Sequence, residues 1–249
     1  MSRWKAATLH LSISMMIGLV TAALLLLVWY PPPLFHAAGA DTLVLLLVSV
    51  DLGLGPLLTL VVFKSGKRGL KFDLSVIALA QAIALVYGLS VVLRARPVFI
   101  ATAVDRLVVV TADELDPADL AKASKPEFRH LSWTGPVLVG TRIPSDWRER
   151  NTVLFSSTAG KDIEEYPQYY VDYAQAAPKL LERAKPLDAL PARGEAQRQL
   201  IAAALAKLGK HEADVVWVPM VARRANLVML LDRHSGNPLK ALRINPWAH

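Results

Sequence analysis

Leu43–Phe63 reads LVLLLVSVDLGLGPLLTLVVF. This near-continuous apolar run is about 20 residues long, enough to cross a hydrocarbon layer of roughly 30 Å as a helix. It carries one acid, Asp51, near its middle, followed by Gly53, Gly55 and Pro56. A carboxylate at that depth costs on the order of 2.5–3.5 kcal/mol on insertion scales, and such residues face a partner or a cavity. Glycine and proline weaken the helix where the acid sits. Pro56 has no N–H to give, which leaves the Leu52 carbonyl without its intrahelical partner.

Two further apolar runs flank this one, at Ala6–Trp29 and Leu74–Leu93. In the first, Ser14, Gly18 and Ala22 form a small-residue stripe that permits close helix packing. Trp4 at one end and Trp29-Tyr30 at the other suit the interfaces of a bilayer, and Pro31-Pro32-Pro33 ends the helix. The run is too long for the apolar core of a signal peptide and reads as a retained anchor. His10 reads as an interfacial residue. In the third run, Gln81, Ala84 and Gly88 share one face, and Gln81 is placed to donate to Asp51. In the second, Asp51, Gly55 and Thr59 share a face, with Ser49, Gly53 and Pro56 on a neighbouring one. Two uses of this polar group stay open: the side chains satisfy one another inside a three-helix bundle, or they receive another membrane helix.

The charge pattern sets an expected orientation. The chain carries +7. Eight of its basic residues but only three of its acids precede Pro97, so that segment holds +5. The loop 31–42 contains no Lys or Arg, whereas 64–71 contains Lys64, Lys67, Arg68 and Lys71. With Arg3 and Lys5, these place the N-terminus and the second loop in the cytoplasm and the C-terminal part on the other side. Arg94 and Arg96 run against that count. The remainder of the chain is near neutral, which disfavours nucleic-acid binding.

From Pro97 the composition becomes that of a soluble domain. Strands are expected at 98–102, 106–112, 137–141, 214–222, 227–231 and 240–244, the last three as an antiparallel meander closed by a turn at His234–Pro238. Helices are expected within 113–123, at 146–156, and from Pro178. The tyrosines of 166–177 read as packing, with Tyr169 and Tyr173 on one helical face. Pro186 and Pro191 bracket a linker. The clearest helix is Glu195–Leu208, with Ala196, Leu200, Ala203, Ala204 and Leu208 as its apolar face and Gly209 as its stop. The expected architecture is three transmembrane helices in 1–96, then an α+β domain with an antiparallel sheet in 97–249.

No catalytic constellation stands out. There is no cysteine, hence no disulfide, thiol catalysis or thiolate metal site. His211-Glu212 lacks the second histidine of a zinc-protease helix, no Gly-rich phosphate loop or G-x-S-x-G elbow is present, and the histidines show no ligand spacing. Asp51 alone cannot run a two-carboxylate hydrolysis, and Asp73 suits a helix start instead. The chain reads as a non-enzyme without cofactor or metal.

Several segments together resemble a known family. They are Trp29-Tyr30-Pro31-Pro32-Pro33-Leu34-Phe35, Val50-Asp51-Leu52-Gly53-Leu54-Gly55-Pro56-Leu57-Leu58-Thr59-Leu60, the Lys64 end, and Asp73–Gln81, continuing to Arg96-Pro97-Val98-Phe99 and Asp105-Arg106. They are similar to the type IV pilin accessory proteins of the TfpX/TfpZ (FimB-like) family, densely over the first 115 or so residues and thinly beyond. The resemblance implies a multi-pass protein of the bacterial inner membrane with a periplasmic C-terminal domain, which promotes or modulates assembly of a cognate pilin into surface pili. It implies no enzyme activity. On this reading the partners are the pilin transmembrane helix, with the pilin head and the assembly platform as further candidates, and membrane lipids. The residues expected to meet the pilin are Asp51, Gly53, Gly55, Pro56, Thr59, Gln81, Tyr30 and Pro31. The alternative is a membrane-anchored periplasmic sensor whose outer domain binds a ligand and acts through a separate partner.

Overall fold

A computed structural model of the chain describes residues 2–190 and 194–247. The Pro191 end of the expected linker lies outside them. Three helices are long and apolar enough to cross a membrane: Arg3–Trp29, Ala40–Val62 and Leu70–Arg94. They are the first, second and third spans below. Two of them contain a widened π-turn, Leu25–Trp29 at the end of the first and Val50–Leu54 inside the second. The second lies just before Pro56, which has no N–H for the regular ladder.

The C-terminal part is built on one sheet. Its strands are β1 (Pro97–Ala103), β2 (Arg106–Thr111), β3 (Val137–Thr141), β4 (Tyr170–Asp172), β5 (Lys185–Pro186), β6 (Val215–Val221), β7 (Leu227–Asp232) and β8 (Pro238–Leu242). The order is β4-β3-β1-β2-β6-β7-β8, with β5 paired to β6. The meander β6-β7-β8 is antiparallel as expected. The sheet as a whole is mixed, which corrects the antiparallel expectation. β1 pairs β3 in parallel and β2 pairs β6 in parallel. The long stretches between those pairs give the chain room to cross over and return in the same direction, which a tight hairpin cannot do.

Helices cover both faces of this sheet. On one face, Tyr173, Ala177 and Leu180 of the Tyr173–Leu181 helix pack with Leu107, Val218, Met220 and Leu231. Leu34 and Ala37, from the loop between the first two spans, belong to the same cluster. That loop is therefore built into the sheet's core although it precedes the third span in sequence. On the other face, Ile201, Ala204 and Leu205 of the Glu195–Leu208 helix cover Trp217, Val228 and Leu230. Beside them Leu115, Leu120 and Phe128 cover Phe99, Val110 and Tyr170.

Three local expectations change. The Glu195–Leu208 helix has the expected bounds, and Gly209 caps it at φ 62°. However, it buries Ile201 and Leu205, while Ala196, Leu200 and Ala203 are exposed. Apolar residues on adjacent faces left the choice to the sheet. Residues 166–177 are not one helix: Pro167–Tyr169 is a 3-10 turn, β4 follows, and the helix begins at Tyr173. Tyr169 and Tyr173 consequently pack in separate clusters. Pro178 does not start a helix but lies inside this one.

Candidate functional site in the apolar bundle

The first and second spans pack through small and hydroxyl-bearing residues. Ser14 and Thr21 are buried, and Gly18 and Ala22 are half-buried beside them. Of the small-residue stripe, Ser14 is thus used within the bundle, while a side chain at Gly18 would meet nothing within 4 Å. One turn before Ser14, His10 faces the same way, and its Nδ1 lies 2.6 Å from Thr59 Oγ1. His10 is therefore a bundle contact. The signal was present in the sequence as the four-residue spacing of His10 from Ser14.

On the second span, Asp51, Gly55, Pro56 and Thr59 are buried. Gly53 is exposed, and a side chain there would meet nothing within 4 Å. It stands about half a turn from Asp51, so it does not join the group. The helix is narrowed at Gly55, and Gln81 of the third span fills the notch: a Cβ at position 55 would lie 1.9 Å from Gln81 Nε2. From there Gln81 donates to the Asp51 backbone carbonyl at 3.4 Å. Gln81 thus donates to Asp51 as expected, at its main chain and not its carboxylate. Across the widened turn, the Asp51 carbonyl looks five residues ahead to Pro56, which has no N–H to give, and Gln81 supplies the missing donor.

The Asp51 carboxylate accepts no hydrogen bond among the described residues, although the residue is 8% exposed. It borders a groove of about 360 Å³ between the second and third spans. The groove is lined by Leu47, Ala84, Tyr87, Gly88 and Val91, so its walls are almost wholly apolar. Gly88 keeps it shallow-walled, since a Cβ there would come within 2.9 Å of Leu47 Cδ1. An acid with spare acceptor capacity, set in an apolar slot between helices, can take a hydrogen bond or a cation from a third helix laid along it.

Tyr30 and Pro31 lie elsewhere. Tyr30 is fully buried and donates to the Val92 carbonyl at 2.9 Å, so it is a structural tie. Pro31 is half-buried and borders a separate groove against the sheet. The eight expected residues thus divide. Asp51, Gly55, Pro56, Thr59 and Gln81 meet in the bundle, Gly53 faces outward, Tyr30 is core, and Pro31 belongs to the domain face. Among the described residues, no three His, Asp or Glu side chains gather as a metal site requires.

Comparison with known proteins adds a lineage to this geometry. A family model described as "Fimbrial assembly protein FimB" matches residues 1–39. The chain is 30% identical over 238 residues to a protein named "Fimbrial assembly protein, serogroup I" from Dichelobacter nodosus, covering 92% of this chain and 91% of that protein. It is 29% identical over 235 residues to the serogroup E1 counterpart from the same organism, with the same coverage of each chain. A shorter relative, "Fimbrial assembly protein, serogroups C1 and C2", is 30% identical over 122 residues, 48% of this chain and 92% of that protein. No solved structure matches.

Proposed function

The chain belongs to the FimB-like family of fimbrial assembly proteins, and from that membership we propose that it binds the cognate type IV pilin in the bacterial inner membrane and promotes its assembly into surface pili. In this reading the bundle holds the hydrophobic helix of the pilin, and the domain after Pro97 stands beside the pilin head on the periplasmic side. The chain acts by binding, with no reaction assigned to it. The observation that carries the reading is the Asp51 carboxylate, without a hydrogen-bond donor among the described residues and bordering an apolar groove between the second and third spans. A family role in assembly calls for a membrane surface that another helix can enter, and this groove supplies one with a polar anchor.

Two substitutions test it. Asp51→Asn keeps the shape and removes the charge, and Asp51→Leu removes both. The chain contains no cysteine, so Ala84→Cys places a single photo-crosslinker on the groove wall. The expected result is a pilin adduct from Ala84→Cys that falls with Asp51→Leu, together with fewer surface pili. Unchanged adduct and unchanged piliation in both Asp51 variants would refute the anchor role.

A further inference from the structure

Strand β8 is an edge of the sheet. It pairs with β7 on one side and, among the described residues, with no strand on the other. Pro238 has no N–H and the Leu242 carbonyl accepts from Ile244 N at 2.9 Å, so the backbone groups that point away from the sheet lie within 239–241. Beside this edge lies a groove of about 680 Å³. Its apolar walls include Pro31 and Pro33 from the loop after the first span, Ile100, Met220, Met229, and Leu239 of β8 itself. Two charged side chains line it, Lys240 and Arg243, and neither has a hydrogen-bond or ion-pair partner among the described residues. The groove opens beside the domain end of the bundle. Pro31 follows the first span closely, and the loop at Gly135 sits against the Val28 carbonyl.

These features select one class of occupant. Unpaired main-chain groups along an edge are matched by the main chain of an extended polypeptide. Methionine walls accept apolar side chains of varied shape. Two unpaired cations favour carboxylates on the entering strand. A lipid brings no main-chain ladder, and a helix has already satisfied its own. A second copy presenting its own β8 would set Lys240 and Arg243 against their like charges.

We propose that β8 and its groove receive an extended, apolar, acid-bearing segment of the fimbrial subunit as an added strand. This rests on the reading that the chain binds that subunit. It gives the domain a recognition role separate from the bundle: the bundle holds a helix, and the sheet edge reads a sequence next to it. Side chains alternating along the added strand would turn toward the Ala241 side of the groove, with Met229 behind it, and toward its Leu200 and Leu239 side in turn. Specificity among subunits then follows from which residues face each side.

Leu239→Cys and Ala241→Cys, each carrying a benzophenone label in the full chain, test this in membranes that also hold the fimbrial subunit. Thr158→Cys, exposed on the Trp147–Thr158 helix, is the control. Both groove positions are expected to give adducts to one continuous segment of the subunit that contains Asp or Glu, and the control to give none. Lys240→Glu combined with Arg243→Glu should lower adduct yield by about tenfold, while Lys240→Arg should not. Adducts only to lipid or to a second copy would overturn the proposal, as would no adduct while the subunit still crosslinks at Ala84→Cys. If the subunit crosslinks at neither place and does not co-purify, the binding reading itself fails and the groove assignment falls with it.

Discussion

The Tyr30 hydroxyl donates to the Val92 carbonyl at 2.9 Å, which ties the exit of the first span to the last turn of the third. The neighbouring Leu93 carbonyl takes Arg96 Nη1 at 2.6 Å, and Arg96 Nε reaches the Ser132 carbonyl at 3.1 Å. The last carbonyls of a helix have no intrahelical donor, and here two side chains supply it at the junction between bundle and sheet. Arg96 is 4% exposed and lies over the Trp133 ring. It is a buried cap and not a loop charge. Burial draws its pKa below the usual arginine range, while Tyr30 nearby raises it.

Tyr30→Phe should therefore lower stability by about 1–2 kcal/mol, because the Val92 carbonyl stays buried without a donor. Arg96→Ala should cost more, about 3 kcal/mol, since two carbonyls lose their partner and the Trp133 face loses its cation. Thermal melting of the full chain in detergent measures both. Equal stability of Tyr30→Phe and wild type would show that the tie contributes nothing.

At Gly140 of β3, a Cβ would lie 2.6 Å from the Ala176 Cβ and 3.1 Å from the Asp172 carbonyl oxygen. The Tyr173–Leu181 helix approaches the sheet this closely only because the residue is glycine. Gly140→Ala should destabilise by about 1–3 kcal/mol through overpacking. A denaturant midpoint that does not move would contradict the close approach.

Glu164 gives the domain a pH dependence of defined sign. Burial, then Asp162 and Glu165, push its carboxyl up to about 7 against the pull of its own backbone and Arg106. One of its oxygens, Oε2, is buried without a partner. A carboxyl raised in the folded state holds a proton that the unfolded chain has released. Its stabilising contribution is fully present below about pH 4.5 and is lost as pH rises through about 7. The loss is on the order of 3 kcal/mol. Glu164→Gln should flatten the fall between pH 5 and 7.5 in melts of the full chain. A wild-type profile flat over that window would refute the assignment.

In the bundle, Gly88→Leu fills the slot beside Asp51. Its Cβ meets the flexible end of Leu47, at 2.9 Å from Cδ1, so the spans should still fold, at a cost of about 1–3 kcal/mol. Under the proposed function, the pilin adduct from Ala84→Cys and the pilus count should both drop. Retention of both with the slot filled would move the helix site elsewhere.

Much of the fold was legible along the chain. The three spans follow from length and apolar composition, which need no partner to be read. The Glu195–Leu208 helix was legible from its formers and from Gly209, and β1 to β3 from β-branched runs between turns. The site was legible in part. Asp51, Gly55 and Thr59 share a face by simple helix geometry, and the expense of an acid in an apolar run marks it without a structure. Gly53, on a neighbouring face of the same helix, points outward from that group.

By itself, the sequence determined the covalent facts that act locally: apolar length, one acid inside an apolar run, a proline without an N–H, charges at the span ends, and the turn residues of the meander. These depend on a residue and its near neighbours. Only the tertiary structure decided which donor serves the Asp51 carbonyl, that His10 meets Thr59, that Tyr30 and Arg96 close the third span, that Leu34 and Ala37 enter the sheet, and that the sheet is mixed. Each joins residues far apart in the chain. Such a contact forms only when the whole packing offsets the entropy of closing the loop between them, and no local pattern carries that information.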